Sequence, residues 1–284
     1  MRNIAIIDEN FDSDVCSSCQ LVIQLGEQLC SFAILNGVTK KFIAFKNYWF
    51  DHPVTTGDLG NHFRKLLLGD SYLLRQYKSV KLVYLTPVSV LVPAPLFRKE
   101  APEVYFNTGP HLASSDKVLF RKIPAIEAFS VFPVPGELIS QVGMVLNDVQ
   151  FFHQGCPQIE AAISESVKIS DQSHILANIN PGFVDLMILE SGKLKLFNSF
   201  VIKNPEDIAF YTLYLYEQFG FSQEETPLLV SGFIELYPGM MELLNRFLRK
   251  VVLGGLPDTY SYSPVFNSLT PYHFSQLINL ARCE

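Results

Sequence analysis

Two stretches of the chain carry the same succession of apolar runs and glycine turns, and this repeat limits the fold more than any other feature. Residues 21–50 read LVIQLGEQLCSFAILNGVTKKFIAFKNYWF, and residues 175–202 read ILANINPGFVDLMILESGKLKLFNSFVI. Each is an apolar run, a turn at Gly26 or Gly182, a second run, a turn at Asn36-Gly37 or Ser191-Gly192, and a third run. The glycine pairs are 156 and 155 residues apart, so the copies agree to one residue. Asn-Gly and Ser-Gly between apolar runs signal hairpins because such turns demand positive φ. Two three-stranded antiparallel meanders are therefore predicted, as in a duplicated chain.

A helix is expected after each meander. In the second copy Asn204 is the N-cap, Pro205 takes the first helical position and Gly220 ends the helix. Ile208, Tyr211, Leu215 and Phe219 mark one face, while Phe210, Leu213 and Tyr214 populate others, as in a helix covered by another layer. In the first copy Thr55 or Thr56 is expected to cap a helix through Leu59, Phe63, Leu66 and Leu67, with a break at Gly69. Buried strands follow, at residues 80–92 before Pro93 and at 227–231 before Gly232 and Pro238. Residues 151–163 and 265–278 then each read as a strand end, a polar turn, Pro157 or Pro271, and a helix. The first half carries an extra strand–helix–strand element, with a strand at 128–134 and a helix at 136–146. The expected boundaries are 1–173 for the first half, with an insertion at about 98–172, and 174–284 for the second.

Composition excludes several classes. Hydrophobic residues make up 48% and charged residues 18%, with 23 Phe and 12 Tyr, which fits a packed core and not a disordered chain. The apolar uncharged run 82–97 contains three prolines and is shorter than the roughly 20 apolar residues of a membrane helix. No membrane insertion is expected. A net charge of −6 gives no global attraction to nucleic acid. The N-terminal apolar stretch is too short for a secretory signal, so a cytoplasmic protein is expected. Five cysteines at irregular spacing do not suggest a disulfide framework.

Three antiparallel strands, a helix, a buried strand and a further helix, given twice, resemble the ribonuclease-H-like half of the actin-like ATPases, the superfold of sugar kinases, Hsp70 and actin. The chain is most similar to a bacterial family described only as actin-like, and its extra element resembles the inserted subdomain of the division and pilus members. The resemblance implies an α/β protein of two similar halves around a cleft. In active members two hairpins, each with an Asp before a glycine turn, hold the phosphates of ATP or ADP with Mg²⁺, and two glycines after a buried strand lie against the adenosine. Carried onto this chain, the first hairpin is Gln24, Gly26, Glu27 and Gln28. The second is Asn178, Asn180 and Gly182, with Asp185 beyond the turn, and the third element is Ser231-Gly232.

The chain departs from that pattern where chemistry matters. Gln24 stands at the first Asp position, Asn178 or Asn180 at the second, Pro181 removes a backbone donor, and Ser231-Gly232 has one glycine of two. Loss of one transition-state stabiliser costs about 10²–10³ in rate, so little hydrolysis is expected. The leading expectation is a catalytically degenerate binding or scaffolding module with a protein partner and a vestigial nucleotide cleft. One alternative is an active ATPase or kinase using Glu27 or Asp185; another is a structural partner protein without nucleotide.

Other features carry less. Asp8 ends the run IAIID without a glycine turn and reads as a strand-end residue. Cys16-x-x-Cys19 lacks the second pair a zinc site needs and precedes a strand. The six histidines lack metal-site spacing, His153 reads as a strand-end residue, and no Walker or G-x-S-x-G motif occurs. Tyr48 and Trp49 are expected to line the core or the cleft.

Overall fold

The computed structural model describes residues 3–9, 11, 13–107, 112–166 and 173–284, so His111 and part of the 98–172 region lie outside the described residues. Along the first half run β1 (Ile4–Ile7), β2 (Cys19–Leu25), β3 (Leu29–Asn36), β4 (Lys41–Trp49), α1 (Leu59–Gly69) and β5 (Ser79–Tyr84). They are followed by β6 (Val90–Pro93), β7 (Asp116–Ile123), β8 (Ala128–Pro135), α2 (Gly136–Gly143), β9 (Val149–His153) and α3 (Gly155–Ser166). The second half holds β10 (His174–Asn180), β11 (Phe183–Glu190), β12 (Lys193–Val201), α4 (Pro205–Gln218), β13 (Leu228–Gly232), α5 (Met240–Phe247), β14 (Val251–Leu253), β15 (Ser261–Tyr262) and α6 (Ser275–Asn279).

One sheet has the order β1-β4-β3-β2-β5-β9, with β15 added beside β4, and the second has the order β12-β11-β10-β13-β14. In each, an antiparallel meander is extended by a parallel strand, β5 beside β2 and β13 beside β10. Odd positions of β2, such as Leu21 and Ile23, pack with Leu59 and Phe63 of α1 and Leu138 and Val142 of α2. Even positions such as Val22 face a central core shared with Ile159 of α3, Leu277 of α6 and Met187 of β11. The outer face of the second sheet is covered by α4 and α5. The layers run helix, sheet, helix, sheet, helix. A central core between two sheets explains why the strands are so uniformly apolar.

Several local expectations need correction. Residues 80–92 are not one strand: β5 ends at Tyr84, and β6 joins β8 and β7 in a separate three-stranded sheet. Pro87 lies in the break, where a ladder donor is missing. The region expected as an inserted strand–helix–strand is divided. β7 and β8 belong to the small sheet, whereas α2 packs on α1 and β9 is the outer strand beside β5. Residues 264–268 form a 3-10 turn, not a strand end, and α6 starts at Ser275, beyond Pro271. The first helix begins at Leu59 after Asp58, and Thr55 serves it by accepting the Leu59 N–H at 3.0 Å.

The Asn36-Gly37 turn also differs. Gly37 does not have positive φ; Lys40 does, at 55°. The Asn36 carboxamide accepts from the Val38 and Thr39 N–H groups and opens a four-residue loop. Glycine is needed at 37 for space, because a Cβ there would lie 2.3 Å from the Ser18 carbonyl oxygen. Ser191 and Gly192, with φ of 48° and 72°, do form the predicted tight turn.

The capping residue of α4 is as expected. The Asn204 side chain accepts from the Asp207 N–H at 2.9 Å, and Asp207 returns the bond, forming a capping box. Asn204→Ala will lower stability by about 1 kcal/mol, read as a shifted midpoint at unchanged slope in urea unfolding.

Tyr48 and Trp49 are both structural. Tyr48 and Lys46 donate to Asp70, and Trp49 packs edge-on against Phe233 of the other half at 5.2 Å. Asp8 pairs with Lys41 at 2.9 Å. Cys16 lies in a 3-10 turn (Ser13–Ser18) and Cys19 opens β2, both buried. Among the described residues no helix is long and apolar enough to cross a membrane.

Candidate functional site between two hairpins

The fold brings the turns of the two meanders face to face. Gly26, Glu27 and Gln28 from the β2–β3 turn and Pro181 and Gly182 from the β10–β11 turn line one cavity of about 290 Å³. Tyr84 and Thr86, at the end of β5, complete its wall. Four of the sequence-predicted residues, Gly26, Glu27, Gln28 and Gly182, thus meet at one place.

Of the remaining predicted residues, Gln24 on one side and Asn178, Asp185 and Ser231 on the other lie in two matching polar rows. In the first sheet Gln24 pairs with Ser31 and Ser31 with Asn47. In the second Asn178 pairs with Asp185 and Asp185 with Ser199. Asp185 is therefore displaced across the strand pair, directly opposite Asn178, and not along the strand. The first row is neutral and thinly bonded: Ser31 donates to Asn47 at 2.6 Å, while Gln24 Oε1 and Asn47 Nδ2 are buried without partners.

The second row is densely bonded. Asp185, 1% exposed, accepts from Ser199 Oγ at 2.5 Å, Gln158 Nε2 at 2.7 Å, Asn180 Nδ2 at 2.9 Å and Gln154 Nε2 at 3.2 Å. Burial pushes its carboxyl up to about 6, and the four donors restrain the rise. Ser231 donates to Asn178 at 3.1 Å, and Asn178 donates to Gln276 at 2.7 Å. Gln154 also exchanges hydrogen bonds with the backbone of Thr86 and so ties the first half to Asp185. Beside it His153 accepts the Gly155 N–H at Nδ1 and donates from Nε2 to Thr86 O, both at 3.0 Å. Burial lowers this imidazole to about 4, so it is neutral.

Backbone donors near the cavity are also taken. Gly26 N–H donates to Leu29 O at 3.0 Å, and Gly182 N–H to Tyr237 Oη at 2.9 Å. Gly232 does not face the cavity: its N–H donates to Tyr272 O at 2.8 Å, and a Cβ would lie 2.2 Å from Ile179 O. Among the described residues, no three His, Cys, Asp or Glu side chains converge as metal ligands.

This architecture can be set against known proteins. A family model described as a protein of unknown function, DUF3822, matches residues 8–251, most of the chain. The chain belongs to the DUF3822 family. No curated protein matches it in sequence. In structure the DUF3822 chain is similar to a Bacteroides thetaiotaomicron protein with an actin-like ATPase fold and unknown function, with a TM-score of 0.83 at 20% identity, covering 96% of this chain and 99% of that one. It is also similar to the PilM–PilN type IV pilus biogenesis complex, with a TM-score of 0.65 at 11% identity, covering 92% and 97%. The fold is actin-like.

Sequence reasoning missed the partners that surround Asp185. Gln154 stands immediately before α3 and Gln158 lies in its first turn, so two amides gather at one helix end. That pair was visible. Ser199 and Gln276 carried no local signal, because only strand pairing and the docking of α6 bring them to Asp185 and Asn178.

Proposed function

We propose that this DUF3822 protein is an actin-like module that works by binding a protein partner and does not turn over nucleotide. The observation that carries this reading is the saturation of Asp185, a carboxylate next to the second of the paired hairpins. Mg²⁺ takes carboxylate, water and phosphate oxygens in a near-octahedral shell, and both Asp185 oxygens already accept from four protein donors. The glycine N–H groups that would face phosphates are likewise occupied. Glu27, the charged residue lining the cavity, is acidic and disfavours phosphate. These residues fit Mg²⁺-ATP poorly. The likeness to PilM, a protein found in complex with PilN, supports a protein partner. The matching order of elements in the two sheets supports descent from a duplicated half, and five buried cysteines, none in a disulfide among the described residues, support a reducing, cytoplasmic setting.

Thermal unfolding with Mg²⁺-ATP or Mg²⁺-ADP, followed by phosphate release, tests the reading. A ligand at 100 times its Kd adds about 2.7 kcal/mol, or about 5–11 °C for a chain of this size. The expected result is no shift and no phosphate. A shift without phosphate release would convert the hairpin cavity into a nucleotide-binding, non-hydrolysing site. Turnover would overturn the proposal and direct attention to Glu27.

A further inference from the structure

A second cavity opens where α3 and α6 meet the parallel strands β10, β13 and β14. Its volume is about 90 Å³, and small residues make the room: Ala161 and Ala162 on α3, and Gly254 and Gly255 after β14. Ser275, Gln276 and Asn279 of α6 line it, and the last two are 4% and 6% exposed. Gln276 and Asn279 each carry an unpartnered buried atom, Nε2 and Oδ1.

The orientation of the Gln276 amide is set from the polar row next to it. The Asp185 carboxylate accepts, so Gln158 turns Nε2 toward it at 2.7 Å. The same Gln158 nitrogen donates to Gln276 Oε1 at 2.7 Å, and Asn178 Nδ2 donates to that oxygen at 2.7 Å. Flipping the Gln276 amide would set its NH₂ against two others. Its nitrogen therefore remains a donor without a protein acceptor. Residues three apart in a helix share a face, so Gln276 and Asn279 lie on the same side of α6. Buried polar atoms are almost always paired, and among the described residues nothing pairs these two.

We propose that this cavity binds a small neutral molecule by a primary amide, whose carbonyl oxygen accepts from Gln276 Nε2 and whose N–H donates to Asn279 Oδ1. The size selects the group. A cavity of about 150 Å³ is what holds a benzene ring, so this smaller one takes the amide head and leaves the rest of the molecule at the open mouth. The charge selects it too. Glu165 lines the same cavity, and a carboxylate ligand would meet both that acid and an acceptor at Asn279.

The test is titration of the ¹⁵N-labelled protein with acetamide, using acetate as the isosteric anion. The side-chain NH₂ signals of Gln276 are identified by their absence in Gln276→Met. Acetamide will move them saturably, with a Kd no tighter than about 40 µM, the ceiling for four heavy atoms; acetate will not. L-glutamine will bind in preference to L-glutamate for the same reason. Ala161→Leu, which fills the cavity, will weaken acetamide binding about tenfold or more. Gln276→Met, read on the Asn279 amide signals, will do the same by removing one buried hydrogen bond. Signals unmoved at the highest acetamide concentration that leaves the fold intact would overturn the proposal and leave a water-filled cavity. So would an equal response to acetate, or undiminished binding in both variants.

Discussion

Replacing Asp185 with alanine will lower the stability of the protein by about 3–5 kcal/mol, the range for stripping a buried charge partner from its donors. The carboxylate holds Ser199, Gln158, Asn180 and Gln154 at once. Ser199 Oγ has no other acceptor among the bonds described, whereas Gln154 keeps Thr86 O and Gln158 keeps Gln276 Oε1. The expected fall in Tm is about 6–20 °C for a chain of this size. A variant that unfolds within 1 kcal/mol of wild type (about 2–4 °C) would mean that the network does not hold the halves together.

Asp185→Asn adds a pH signature. The folded carboxyl titrates at about 6 against an ordinary value of 3.8. Between those values the folded protein binds more protons than the unfolded chain, so this group makes stability fall as pH rises. The difference of about 2.2 pK units corresponds to about 3 kcal/mol. The penalty of Asp185→Asn relative to wild type will therefore be greatest near pH 4 and shrink by about that amount toward pH 7. His153 acts in the opposite sense. Its folded value of about 4 lies below the ordinary 6.5, so its contribution is present above pH 6.5 and is lost as pH falls through 4. In the wild type the two groups oppose each other between pH 4 and 6. Urea unfolding across that range separates them, and a penalty independent of pH would show that Asp185 is not raised.

The second large effect is expected at Gly232. It sits at φ of 89°, and an added Cβ would come within 2.2 Å of the Ile179 carbonyl oxygen and 2.7 Å of the Ile179 nitrogen. A left-handed backbone costs an ordinary residue about 1–2 kcal/mol, and moving a paired strand to relieve the overlap costs about 1–3 more. Gly232→Ala will lose about 2–5 kcal/mol. Gly182 is the control. Its φ of 85° is as strained, but a Cβ there meets nothing within 4 Å. Gly182→Ala will therefore lose only about 1–2 kcal/mol. Equal losses at the two sites would mean that strand contact at Gly232 relaxes freely. Both glycines look alike in the sequence as turn glycines beside an apolar run, yet one is held by the β10–β13 pairing and the other opens on the hairpin cavity.

The meanders, the α4 caps and the actin-like architecture were legible because each depends on local chemistry. Apolar runs of strand length, Ser191-Gly192 at positive φ, and the Asn204–Asp207 reciprocity act over a few residues. The meeting of Gly26 and Gly182 was implied by the resemblance to actin-like ATPases, in which two such hairpins hold one ligand. Placement of Asp185 was not, because a side chain one row beyond a turn reaches its partners only across strands. The insertion was misplaced for a similar reason: β9 carries no sign that it pairs with β5 and not with β8.

By itself, the order of apolar runs, turns and caps determined which elements form and in what succession, because hydrogen-bonded turns and periodic burial are short-range demands. Tertiary structure alone decided which polar atoms are satisfied. α3 and α6 dock between the sheets and present Gln154, Gln158 and Gln276 to the second polar row, while the first row keeps unpaired atoms. Satisfaction of a buried polar group depends on what lies within about 3 Å of it, and that distance is set by packing between segments far apart in the chain.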